Sequence, residues 1–392
     1  MTAAQRALAE LVGAKEMVVV CGSGGVGKTT TAAALGAAVA AAEKCRVLVL
    51  TVDPARRLAT ALGMDAIGNA EIRVGDESFA AAGIQPRGEL WVAMLDTKAG
   101  WDELIRRHAP DSRLRDSVLA NPLYRNLTSR FVHSHGYIAI ERLLELHASG
   151  RYDLVVVDTP PSRNALDLLD SPGRMREFFG SRLLKWLTVP YRSRLFNLAS
   201  KPFNQIADRV LGSSFLQDIA QFFTLFQKME PGFVRRATQV EQLLSDQRTT
   251  FLVVSTLEPA PAHEAGYLAS EISRRRLPLG ALVLNRVLSP AIRARATSAA
   301  ATKMAALVGD GKSLKKLSTA SGVPVPLLTS TLDGLADSFS DLVAVAKREA
   351  ERRSELSAQA KLIAEVPMLD GDITDLDALL RIGRHLIGGE TP

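Results

Sequence analysis

The sequence predicts a doubly wound α/β fold: a mostly parallel sheet covered by helices on both sides, with a separate helical insert. Three observations carry this expectation. Short apolar runs rich in Val and Leu alternate with long stretches of helical character. A glycine-rich turn joins the first of these runs to an Ala-rich segment. Residues 171–240 break the rhythm, with no strand-like run and most of the chain's phenylalanine.

The strand-like runs are Met17 to Cys21, Val47 to Val52, Leu90 to Leu95, Leu154 to Asp158, Phe251 to Ser255 and Ala281 to Asn285. They are continuously apolar, whereas a half-exposed strand would alternate polar and apolar residues, so they read as strands buried on both faces. After the first run and its glycine turn, Thr29 to Ala42 has strong helix propensity and Thr residues near its start. Leu335 to Ala360 reads as one long helix, apolar early and charged on a solvated face later.

Residues 1–170 and 241–392 are expected to form the core, with part of a helical lid around 100–150, and residues 171–240 a helical insert. The insert holds nine of the thirteen Phe, together with Trp186 and Tyr191, and eleven Lys or Arg against four Asp or Glu. Since the whole chain carries only +6, the basic excess belongs to this segment. The aromatic residues suit either an internal core or an apolar groove or membrane-facing surface.

At 392 residues the chain is long enough for a large core. Its modest net charge does not by itself point to nucleic acid. Two cysteines, Cys21 and Cys45, are too few for a disulfide framework or a four-cysteine zinc site. Met1 to Glu16 has no basic stretch followed by an apolar core, and the longest apolar run, Ala32 to Ala42, is about half of the roughly 20 residues that span a bilayer. A cytoplasmic protein is expected, with peripheral membrane attachment open to it.

Gly22-Ser23-Gly24-Gly25-Val26-Gly27-Lys28-Thr29 satisfies the phosphate-loop pattern G-x-x-x-x-G-K-[ST]. In such a loop, backbone N–H groups from Gly22 to Thr30 turn inward on phosphates, Lys28 bridges β- and γ-oxygens, and the Thr29 hydroxyl ligates Mg²⁺. The same residues match G-x-G-x-x-G. A dinucleotide needs neither a lysine nor a metal-binding hydroxyl at the helix start, so Lys28 and Thr29 decide against a dinucleotide and for a phosphate loop that takes Mg²⁺; ATP is the nucleotide that the family resemblance below implies. Asp53 and Asp158 end the second and fourth runs and so sit at the carboxyl edge of a parallel sheet, where ligands of such folds bind. Asp158 fits the Mg²⁺ outer shell, and Asp53 fits orientation of the attacking water. With Lys28 they make a sufficient set for phosphoryl transfer.

Three stretches in order, the glycine loop, Asp53-Pro54-Ala55 and Asp158-Thr159-Pro160-Pro161, resemble the arsenical-pump ATPase family, which includes the ATPases that target tail-anchored membrane proteins. Val52 to Leu58 is similar to that family's switch I, whose Asp is credited with positioning the water, and Asp158 to Leu166 to its switch II. Val283-Leu284-Asn285 resembles the adenine-contacting V-x-N, and Val366 to Ile373, with Pro367 and Met368, the late adenine loop. The resemblance implies a nucleotide-sandwich dimer whose helical inserts form an apolar groove for a client transmembrane helix.

The chain also departs from that pattern. The family's loop begins G-K-G-G, and its first lysine reaches the partner's phosphates; here that position is Ser23. Serine cannot supply the charge, so assembly with a related subunit, in place of or beside a homodimer, is expected. Arg56 replaces the His of switch I, and Arg163 and Asn164 the Gly-His of switch II; either arginine is a candidate substitute for the lysine. No cysteine lies between Asn285 and Val366, so neither the family's zinc clamp nor arsenite's soft ligands are expected. His133 and His135 lack a supporting ligand cluster. Two other readings stand beside the leading one: a partitioning or positioning ATPase using the basic insert on DNA or membrane, with nucleic acid the less favoured, and a regulatory nucleotide-binding subunit.

Overall fold

The computed structural model of the chain describes residues 1–52, 57–64, 67–109, 111–121, 124, 134–160, 170, 173, 177 and 230–389. Among these, eight strands form one sheet: β1 (Met17–Gly22), β2 (Arg46–Thr51), β3 (Ile72–Arg73), β4 (Glu89–Met94), β5 (Leu154–Asp158), β6 (Thr249–Ser255), β7 (Leu279–Val287) and β8 (Ile363–Pro367). Their order is β3-β4-β2-β5-β1-β6-β7-β8, and every pair is parallel except β3–β4. The chain crosses over between β1 and β2, so the turn after β1 opens into a crevice at the carboxyl edge, the position such sheets use for ligands.

Both faces of the sheet are covered. Met17, Val19 and Cys21 point into a core shared with the helices Thr97–His108, Ser134–Ala148, Glu230–Ser245 and Pro259–Arg274. Val18 and Val20 point the other way, into a core built with Ala3–Gly13, Lys28–Ala42 and Leu376–Ile387. This is why the runs in β1, β5 and β6 are continuously apolar. The Lys28–Ala42 helix is sandwiched between the sheet and Leu376–Ile387. A Cβ at Gly383 would lie 2.5 Å from the Ala38 Cβ, so small residues are what allow that approach.

All six expected strands are present. Two further strands lie at the edges of the sheet. β3 is only two residues long, too short for periodicity to register. β8 overlaps the start of the expected late loop at Val366 and Pro367, and it alternates half-buried and buried positions around Glu365 and Pro367. An outer strand tolerates both residues because one side of it has no ladder to complete. The long helix runs Val325–Ser357, ten residues earlier at its start than Leu335, because Pro324 caps it and Pro326 fits the first turn, where no N–H is needed.

Most of the 171–240 segment lies outside the described residues, as do Asp53, Arg56, His133, Arg163 and Asn164. The helix Glu230–Ser245 crosses the expected boundary at 240 and buries Ala237 and Val240 beside Leu243 and Leu244. Among the described residues no helix is long and apolar enough to cross a membrane.

Candidate nucleotide site

Gly22 closes β1 against β6, where it pairs with Val254. A Cβ there would meet the Val254 carbonyl oxygen at 2.2 Å, so only glycine lets the loop leave the sheet at this point. The loop ends at Gly27, whose φ of 93° is left-handed and whose Cβ would fall 2.3 Å from Asn285 Nδ2. The helix starts at once: Thr31 N–H donates to the Gly27 carbonyl across 2.8 Å. Gly24 and Gly25 are exposed, Thr30 is half-buried, and the helix N-terminus faces the crevice with its first N–H groups free of intrahelical partners, which favours an anion.

Lys28 is buried, and its ammonium donates to the Ser23 carbonyl across 2.7 Å, folded back over the loop. The Ser23 hydroxyl is also buried and has no hydrogen-bond partner among the described residues. Asp158, at the end of β5, is fully buried. Its Oδ2 accepts from the Thr29 hydroxyl at 2.7 Å and from the Thr51 hydroxyl at 2.8 Å. These are hard oxygen donors brought together at a helix start, a set that fits Mg²⁺ with Thr29 as direct ligand and Asp158 behind it. Thr159 fixes the exit from β5, its backbone N–H and its hydroxyl both donating to the Val20 carbonyl, at 3.2 and 2.9 Å.

Asn285, expected at the adenine, is turned toward the phosphate loop. Its Nδ2 donates to the Val26 carbonyl across 2.8 Å, and its Oδ1 accepts from Arg286 N–H at 3.0 Å. The β7–β8 register slips between Leu284 and Val287, and Arg286 has a φ of 55°; this local bulge re-aims Asn285 out of the ladder. Pro367 pairs with Val287, and Met368, 65% exposed, donates its N–H to the Val287 carbonyl across 2.9 Å. Both therefore lie at the same carboxyl edge as Asn285, one strand farther from the loop.

Cys21, just before the loop, is buried, and burial pushes its thiol up to about 12. It is a packing residue, since the thiolate form is inaccessible at neutral pH. Thr51 belongs to none of the sequence motifs. A lone hydroxyl at the carboxyl end of an otherwise apolar strand is the signal that points to it.

Residues 15–310 match the family described as anion-transporting ATPase. The chain is 27% identical to "ATPase ASNA1 homolog 1" of Paramecium tetraurelia over 277 residues, 70% of this chain and 75% of that protein. It is 28% identical to "ATPase GET3" of Malassezia globosa over 271 residues, 69% and 72% of the two chains, and 25% identical to "ATPase get3" of Aspergillus niger over 275 residues, 70% and 73%. The matched span contains the loop, Asp158 and Asn285, and stops before the helix Val325–Ser357. With a phosphate loop assembled at the carboxyl edge of a doubly wound sheet, the chain belongs to the anion-transporting ATPase family and hydrolyses ATP.

Proposed function

We propose that this ATPase binds Mg-ATP at the seam of a dimer and uses hydrolysis to govern capture and release of a hydrophobic or membrane-protein client. The observation that carries the nucleotide half is the convergence of Lys28, Thr29 and Asp158 in one buried cluster at the loop. When bound, Mg²⁺ supplies charge neutralisation at the phosphate oxygens. Lys28 exchanges the Ser23 carbonyl for those oxygens, at little cost because one acceptor replaces another. Thr29 would offer a hydroxyl lone pair to the metal while its O–H keeps donating to Asp158. Thr51 keeps Asp158 from rotating away. Asp53 orients the attacking water, and the loop N–H groups hold the charge that develops on the transferred group.

Ser23 supports a heteromeric assembly, because this loop has no lysine to extend into a partner's site. The client half is supported by the Phe-rich basic segment and by the resemblance to the tail-anchored protein targeting ATPases. The test is turnover of the chain alone, of Ser23→Lys, and of each with a single-span membrane segment added. Low turnover alone, raised by Ser23→Lys, and ATP-dependent protection of the segment from aggregation are expected. High turnover unchanged by the lysine removes the heteromer, and protection that ignores nucleotide removes the coupling.

A further inference from the structure

The helix Val325–Ser357 lies beyond the matched span, yet its last turns are bonded to residues on or just past three adjacent strands, β6, β7 and β8. Arg352 Nη1 donates to the carbonyl of Leu257, two residues past β6, across 2.6 Å. Leu288, the residue after β7, donates its N–H to Glu349 Oε2 across 3.2 Å. Arg353 and Arg293 hold the two carboxylate oxygens of Glu365 on β8, at 2.7 and 3.1 Å. Residues 349, 352, 353 and 356 share one helix face, and Leu356 is buried in the core, so this end of the helix is rooted at the sheet edge.

Glu349 is only 8% exposed. Taking a carboxylate out of water is costly unless it is bonded, so a leucine or methionine would serve better here if packing were the only need. What the carboxylate holds is the N–H of Leu288, three residues past Asn285 and just beyond the bulge at Asn285 and Arg286. That bulge contains a left-handed non-glycine residue, a conformation that persists only where its flanks are fixed. On the near flank, Asn285 grips Val26 of the phosphate loop.

We propose that Glu349 is a positioning residue for the phosphate loop. By pinning Leu288 it fixes the far side of the bulge, which keeps the Asn285 amide against Val26 and the loop shaped for a triphosphate before one arrives. The proposal rests on the loop being the ATP site. It makes the long helix part of the nucleotide-binding machinery.

The test uses the full chain and compares Glu349→Met, Glu349→Gln, Asn285→Ala and the double variant Glu349→Met/Asn285→Ala. Methionine matches glutamate in length and helix propensity without an acceptor, so the protein should still fold. Two readouts are taken: hydrogen exchange of amides 22–30 without nucleotide, and calorimetric affinity for a non-hydrolysable ATP analogue with Mg²⁺. Glu349→Met should speed loop exchange and weaken affinity by about five- to tenfold, with the double variant no worse than Asn285→Ala alone. Glu349→Gln should stay near wild type, because its amide oxygen accepts the same N–H. Loop exchange and affinity unchanged in Glu349→Met, or losses that add in the double variant, overturn the proposal. Lys28→Ala separates the two ideas: if it binds nucleotide normally, the loop reading fails, while exchange without nucleotide still decides the role of Glu349.

Discussion

The Thr29 hydroxyl donates to Asp158 Oδ2 across 2.7 Å, although the two residues are 129 positions apart. Thr51, the β2 residue in register with Asp158, donates to the same oxygen at 2.8 Å. The Asp158 carboxylate is thus held from one neighbouring strand and one helix start.

Removing the Thr51 hydroxyl should loosen Asp158 without touching the loop. Thr51→Val keeps the shape, and outer-shell losses of this kind cost about 10- to 100-fold in metal affinity. Titrating ATP hydrolysis against Mg²⁺ should show that shift in the magnesium midpoint, and Asp158→Asn a larger one. An unchanged midpoint in Thr51→Val would remove the hydroxyl from the account.

Gly22→Ala and Gly27→Ala should fail differently. At Gly22 the new methyl meets backbone in a sheet, the Val254 carbonyl, so the sheet must part and thermal stability should fall by about 2 kcal/mol or more. At Gly27 it meets the Asn285 side chain, which can move, so the loss should appear mainly as weaker ATP binding. Thermal unfolding and calorimetry on both variants separate the two effects.

Burial raises the Cys21 thiol from 9.0 to about 12, and burial also raises Cys45, to about 11. A group that binds its proton more tightly when folded contributes stability below its unfolded value and loses it as pH rises toward the folded one. Folding stability should therefore drop between about pH 9 and 12, with Cys21 alone contributing a slope of about 1.4 kcal/mol per pH unit. Cys21→Ala should flatten alkaline denaturation in that window, and native protein should resist thiol alkylation at pH 8. An equal alkaline slope in Cys21→Ala would contradict this.

Arg236 and Glu141 pair at 2.9 Å with side chains only 11% and 10% exposed, joining the helices Glu230–Ser245 and Ser134–Ala148. Breaking one side leaves a buried charge. Glu141→Gln should cost about 3–5 kcal/mol, and Glu141→Leu with Arg236→Met should recover most of it. Denaturant unfolding of the single and double variants gives the comparison.

Much of this architecture is legible in the residues themselves. The six apolar runs locate six strands, because burial on both faces leaves a continuous mark. β3 and β8 escape that test: one is two residues long, and the other carries Glu365 and Pro367 because it has a free edge. The start of the long helix is missed because Pro326 reads as a breaker, although the first helical turn accommodates it.

The amino-acid sequence alone determined the loop, Lys28, Thr29 and the strand-end placement of Asp158, since each depends on neighbours a few residues away. Tertiary structure alone decided that Thr51 shares the carboxylate with Thr29, that Asn285 grips Val26, and that Glu349 holds Leu288. Those pairings follow from which strands lie side by side, and hydrogen bonds between groups so far apart in the chain exist only once the order β2-β5-β1-β6-β7 has brought them within reach.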